Sequence, residues 1–271
     1  MPHPAFAPDS CVVAEVMPSP NHGERKHGRR PDMIVLHYTG MSDAEAALEL
    51  LTARGSEVSA HYFVFDDGRV IQLVQESRRA WHAGKALWAG ESDINSCSIG
   101  IEIANPGHDH GYPNFPERQI AAVTALCRTI QNRNTIPPAR VVAHSDVAPA
   151  RKQDPGEKFP WRELYESGIG HWVEPAALVD FGQALRPGDH GDAVAALQKS
   201  LGDYGYGVEP SGEYDAMTRE VVAAFQRHFR PERIDGIADP STRGTLQELL
   251  ATRGRTGTIV ARARAATLIA P

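Results

Sequence analysis

Short apolar runs alternate with helix-period patterns from Met33 to about Trp172, and beyond that point only helix-period patterns continue. That switch limits the fold more than any other feature of the chain. Strands and helices intermixed along a sequence build an α/β layer structure, whereas a purely helical stretch packs as a bundle of its own. The expected architecture is therefore an α/β domain over residues 1–175, with a mixed central sheet flanked by helices. A small three-helix domain over residues 176–271 should follow, with a basic tail from Arg253 onward that reads as a frayed end, the alternative being a lipid- or partner-binding role.

The local signals agree with this division. Met33-Ile-Val-Leu36 is a short apolar run entered from the polar stretch Asn21–Asp32, and it reads as a buried strand. Ser42 and Glu45 form a capping box, with Ala46, Ala47, Leu50 and Leu51 at helical spacing behind it. His61–Phe65 and Val70–Val74 flank Asp66-Asp67-Gly68, a hairpin signal. Ser98–Ile103 alternates like a half-buried strand, and Ile120, Val123, Cys127 and Ile130 mark a helix entered near Pro116. Arg140–Ala143 is another strand, and the helix before it allows Ile99 and Val142 to lie in neighbouring parallel strands through a right-handed crossover. In the C-terminal part, Val194, Leu197, Gln198 and Leu201 define one helix. Thr218, Val221, Val222, Phe225 and Phe229 define a second, and Leu246, Leu249 and Leu250 a third that begins near Pro240.

Bulk properties exclude some functions. A formal charge of −6 speaks against nucleic acid as the main partner, because neutralising phosphates takes a Lys/Arg excess. Cys11, Cys97 and Cys127 are far apart, so neither a disulfide framework nor a thiolate metal site is expected. No segment has the ~20 apolar residues of a membrane helix. The first residues also lack the basic start and apolar run of a secretory leader, so the expected compartment is the cytoplasm, or the periplasm or envelope if a leader was removed.

The chemistry gathers at strand ends, where open α/β sheets place their sites. His37 ends the Met33–Leu36 run, His144 follows Arg140–Ala143, and Asp154 lies in the polar run Arg151–Gly156. Two imidazoles and a carboxylate supply the donors of a catalytic zinc and leave a position for water. In a chain with 12 histidines, spacing alone does not separate such a site from ordinary core or surface histidines. Glu102, between Ile101 and Ile103, is either a solvent-facing strand residue or a buried carboxylate with a job such as general base. Lys152 is either a solvated loop lysine or a stabiliser of an oxyanion.

The blocks Val35–Thr39, Val58–Tyr62, Trp81–Gly84, Ser98–Glu102 and Ala143–Gly156 resemble the type 2 N-acetylmuramoyl-L-alanine amidases, and within them the bacterial AmpD/AmiD branch. The resemblance runs from about Ser19 to Trp161. It implies zinc held by His37, His144 and Asp154, Glu102 as base, and Lys152 at the intermediate. Aspartate as third ligand favours this branch over the animal peptidoglycan-recognition proteins, which typically use cysteine. Trp81, His82, Trp88 and Asn105 are expected to line the substrate groove, the alternative being loop packing, and His61 is read as structural. The implied reaction is hydrolysis of the amide joining N-acetylmuramic acid, or its anhydro form, to L-alanine, with peptidoglycan fragments or muropeptides as partners. The competing expectations are a module that binds muropeptides without cutting them and a peptidase acting within the stem peptide.

The C-terminal segment resembles the peptidoglycan-binding-like domain. Leu185–Gly191, Leu197-Gln198, Ala224–Gln226, Asp235–Ile237 and Thr242 carry the resemblance. These residues mostly cap and pack helices, so wall binding and a scaffold role both stay open. A wall-binding appendage suits polymeric peptidoglycan outside the membrane, whereas a leaderless amidase suits recycling in the cytoplasm.

Overall fold

The computed structural model describes residues 6–178 and 182–253; the basic tail lies outside the described residues apart from Arg253. Eight strands and eight α-helices follow one another along it. They are β1 (Glu15–Val16), β2 (His22–Glu24), β3 (Met33–Tyr38), α1 (Ala44–Thr52), β4 (Tyr62–Val64), β5 (Val70–Gln72), β6 (Arg78–Ala80) and α2 (Ile94–Cys97). Then come β7 (Ser98–Ile103), α3 (Glu117–Arg133), β8 (Val141–Ala143), α4 (His144–Val147), α5 (Trp161–Glu166), α6 (Asp192–Tyr204), α7 (Ala216–Phe229) and α8 (Pro240–Thr252).

Six strands form one sheet in the order β1-β5-β4-β7-β3-β8, and β2 pairs with β6 in a separate ribbon. Only the β4–β5 hairpin is antiparallel within the large sheet, so it is mixed as expected. The hairpin turns at Asp67-Gly68, where Gly68 adopts φ +87° and donates its N–H to Phe65 O. A side chain there would also strike the Arg118 backbone, so glycine is required twice over. β7 and β8 are not neighbours, contrary to the expected pairing. β3 lies between them and pairs with both. Paired on both sides, β3 is covered along its length: Met33 to His37 are buried and Tyr38 is partly so.

Alternation along β4 and β5 sorts side chains between the two faces. Phe63 and Ile71 meet Ala47, Leu48 and Leu51 of α1 on one side. Tyr62 and Val64 turn to the other, where Ile120, Val123, Cys127 and Ile130 of α3 pack. Two details of α1 differ from the sequence reading. Asp43, not Ser42, caps it, accepting from the backbone N–H groups of Glu45 and Ala46. Leu48 replaces Leu50 on the buried face, and Leu50 is left 46% exposed. β7 is covered on both faces rather than half-buried.

The three C-terminal helices bury the residues read from their periodicity, except that Leu250 is only partly covered. Gln198 ties α6 to Glu213 O and Thr218, and Gln226 ties α7 to Ile237 O and Thr242. Their apolar core is continuous with that of the sheet, joined through Trp88, Trp161, Trp172, Tyr204 and Tyr206. No helix among the described residues is long and apolar enough to cross a membrane.

Candidate active site

The parallel strands β3 and β8 end at the same edge of the sheet, and His37 and His144 issue there. Asp154 reaches the same point on a loop pinned by a hydrogen bond from Ser145 N–H to Asp154 O at 3.0 Å. His37 Nδ1, His144 Nδ1 and Asp154 Oδ2 then lie 2.9, 3.0 and 3.1 Å from one another, and all three residues are buried.

The surrounding hydrogen bonds decide which protons these atoms carry. Ala83 O can only accept, so the His144 Nε2–H donates to it at 3.1 Å and Nδ1 of the neutral ring presents a lone pair. A longer chain fixes His37. Ser98 Oγ donates to Ile94 O at 2.6 Å and therefore accepts from His82 Nε2–H at 3.0 Å. That leaves His82 Nδ1 to accept from His37 Nε2–H at 3.0 Å, so His37 Nδ1 also presents a lone pair. Two imidazole lone pairs and a carboxylate oxygen, this close and out of water, repel each other unless a cation lies among them. The donor set fits a metal ion, and it is the only such group found among the described residues.

Electrostatics run the same way. Burial, reinforced by the positive charge that His144 can carry, lowers His37 to a pKa of about 4. Burial alone would raise Asp154, but positive charge on its His144 side, and then on its His37 side, holds it well below the carboxylate range, so it faces the two lone pairs as an anion.

A cleft of about 460 Å³ opens over this group, lined on its polar side by Glu102, Lys152, Trp81, His82 and Asp154. Glu102 Oε2 is shut off from solvent and has no hydrogen-bond partner. Burial, with a further push from the Asp154 charge, raises its pKa well above the usual carboxylate value, while Lys152 partly offsets this. Glu102 thus lines the cleft as a carboxyl whose raised pKa suits proton exchange.

Two expected groove residues lie elsewhere. Trp88 is 1% exposed and packs on Tyr204 and Tyr206, in a slot that exists because Gly205 has no side chain. Asn105 turns inward, donating to Pro113 O and accepting from Gly107 N–H, so it shapes the loop instead of the groove. Trp81 and His82 do line the cleft, but His82 is committed to His37 and Ser98. His61 is buried, accepting from Gly100 N–H, in contact with Arg25. Sequence reasoning missed Tyr38 and His108 at the rim, where Tyr38 Oη meets His108 Nδ1 at 2.9 Å and Glu157 meets His108 Nε2 at 3.1 Å. Tyr38 directly follows His37, which was the available signal.

An α/β sheet that presents three converging lone pairs beside an unpartnered glutamate has the layout of a metal-assisted hydrolase. The family model for N-acetylmuramoyl-L-alanine amidase matches residues 27–157, and one for a peptidoglycan binding domain matches residues 190–246. The N-acetylmuramoyl-L-alanine amidase AmiD of Escherichia coli is 39% identical over 241 residues, covering 83% of this chain and 84% of AmiD. The 1,6-anhydro-N-acetylmuramyl-L-alanine amidase AmpD of Escherichia coli is 32% identical, covering 55% of this chain and 89% of AmpD. The structure of E. coli AmiD with the substrate anhydro-N-acetylmuramic acid-L-Ala-D-gamma-Glu-L-Lys superposes with a TM-score of 0.71, covering 83% of this chain and 91% of that one. AmpDh3 of Pseudomonas aeruginosa in complex with anhydromuramic pentapeptide is 34% identical with a TM-score of 0.67, covering 82% and 92%. The chain belongs to the N-acetylmuramoyl-L-alanine amidase family.

Proposed function

We propose that this protein hydrolyses the amide between the lactyl group of N-acetylmuramic acid, or its anhydro form, and L-alanine, with zinc held by His37, His144 and Asp154. The observation that carries the reading is Glu102, without a partner at Oε2 and lining the same cleft as His144 and Asp154 of the His37-His144-Asp154 group. The anhydro-muropeptides in the complexes of AmiD and AmpDh3 support the substrate class.

A bound zinc ion supplies Lewis acidity, which polarises a carbonyl and acidifies water. Glu102 takes the proton from the attacking water at Oε2 and returns it to the departing nitrogen of L-alanine. Its raised pKa suits both steps, since the carboxyl must hold the proton between them. Lys152 places an ammonium at the cleft wall, where charge develops on the former carbonyl oxygen. His82 and the carbonyl of Ala83 keep the two imidazoles aimed.

Incubation with anhydro-N-acetylmuramyl tripeptide, followed by mass analysis, tests this. The expected products are the free tripeptide and the bare sugar, lost on chelation and restored by zinc. Shortened peptides still attached to sugar would point to a peptidase, and binding without products to a recognition module.

A further inference from the structure

Asp146 is completely buried two residues beyond His144, and it accepts three hydrogen bonds. One comes from its own turn, where Ala143 N–H donates to Oδ2 at 2.8 Å. The other two come from the helical C-terminal region. Tyr206 Oη–H donates to Oδ1 at 2.7 Å, and His228 Nδ1–H donates to Oδ2 at 2.6 Å. A carboxylate taken out of water is costly unless donors replace its hydration. The short helix α4, with His144 as its first residue and Asp146 as its third, therefore depends on groups more than fifty residues away in sequence.

Those two donors are themselves held. His228 is stacked between Trp161, with ring centroids 3.7 Å apart, and Phe229 at 3.8 Å. Tyr206 packs edge-on against Trp88 at 4.9 Å. The Leu87–Ala89 segment links the two sides, since Leu87 N–H donates to Val147 O at 2.8 Å and Ala89 N–H to Gly205 O at 2.7 Å. A cluster arranged only to join two layers could use apolar groups at this spot. Here the donors converge on the one carboxylate whose backbone turn carries a metal-ligand candidate.

We infer that Tyr206 and His228 are positioning residues for the metal-ligand turn: the C-terminal helices fix Asp146, and through α4 they fix where His144 Nδ1 points. The inference rests on the metal reading given above. It makes the appended helices part of the frame of the catalytic site, whatever else they bind.

Zinc affinity of the full chain, measured by chelator competition, tests it. Tyr206→Phe removes one hydroxyl and leaves the ring packing. His228→Phe keeps the stack and removes the donor. Each is expected to weaken zinc binding by about tenfold to a hundredfold, the usual cost of losing support behind a ligand. His228→Asn returns an N–H near the place of Nδ1–H and should recover affinity to within about threefold of the wild type. Should His228→Phe fail to fold, Tyr206→Phe alone decides, with circular dichroism as the check. A purely structural contact would lower the melting temperature of the metal-free protein and leave zinc affinity unchanged within about twofold, which overturns the inference. A wild-type chain that binds no zinc instead overturns the metal reading beneath it.

Discussion

Glu102 stands opposite His37 in the parallel register of β7 on β3. The pairing sets the carboxyl and the imidazole a strand's width apart at one edge of the sheet, so backbone hydrogen bonds determine their spacing. Only His37 belongs to the group that could hold a metal. On the proposed reading, the carboxyl of Glu102 is the one that exchanges protons.

Glu102→Gln keeps the side chain's shape and removes the titrating oxygen. It should lower kcat by about a hundredfold to ten-thousandfold, the range for loss of a general base. Zinc content, measured by atomic emission, should stay at the wild-type level. Loss of metal in this variant would make Glu102 a ligand or a folding residue.

The layer order and the ligand candidates were legible in the sequence because they rest on local patterns: the apolar run before His37, the one before His144, and a hairpin marked by Asp67-Gly68. What was not legible depended on partners distant in sequence. Trp88 resembled a groove residue until Gly205, more than a hundred positions on, opened a slot for it. Asn105 has the polarity of a binding residue, yet its amide is consumed by Pro113 and Gly107. The proton assignment at His37 traces back through His82 and Ser98 to a carbonyl at Ile94, a path no spacing rule contains. Chain order points to pairing of β7 with β8, but β3 lies between them and pairs with both, one place in from the β8 edge.

The pH profile should carry the mark of Glu102. Burial and the Asp154 charge raise its pKa, and Lys152 pulls it back down. The base must be ionised to act, so kcat/KM should fall on acidification through this raised pKa, above the ~4.3 of an ordinary glutamate. Lys152→Met removes the charge that favours the carboxylate, so the acid limb should move to higher pH. It should also cost about a hundredfold to a thousandfold in kcat if Lys152 meets the developing oxyanion. An acid limb left in place would break the link between the two side chains.

Gly100 has no side chain because His82 lies over it; an added Cβ would sit 2.4 Å from the His82 Cγ. Gly100→Ala should therefore displace the His82 ring, which in turn supports His37. Overpacking of this kind costs about 1–3 kcal/mol of stability. The more specific expectation is a zinc affinity weakened by about tenfold or more. A melting temperature that drops while zinc affinity holds would show that His37 keeps its aim without His82.

His171 gives a prediction independent of the metal. It joins the end of the catalytic region to the C-terminal helices, with Nδ1 against Tyr204 Oη at 2.9 Å and Nε2 against Thr252 Oγ1 at 3.2 Å. Burial, aided by the positive charges of His228 and Arg253, lowers its pKa from 6.5 to about 4. The native state thus takes up this proton less readily than the unfolded chain does. The stabilisation is complete above pH 6.5, shrinks as the pH falls towards 4, and levels off below that. Each pH unit inside the window is worth about 1.4 kcal/mol, so a step from pH 7 to pH 5 should remove about 2 kcal/mol through this residue alone. His171→Asn should be less stable than the wild type at pH 7, having lost part of its hydrogen bonding. Its loss between pH 7 and pH 5 should nonetheless be smaller by about 2 kcal/mol in chelator-treated urea titrations. The chelator makes His37 and His144, the candidate ligands, contribute equally to both proteins, so the difference belongs to His171. Equal losses in the two proteins would mean that this histidine titrates normally in the folded state, and that the seam between the catalytic region and the helices is wetter than its packing indicates.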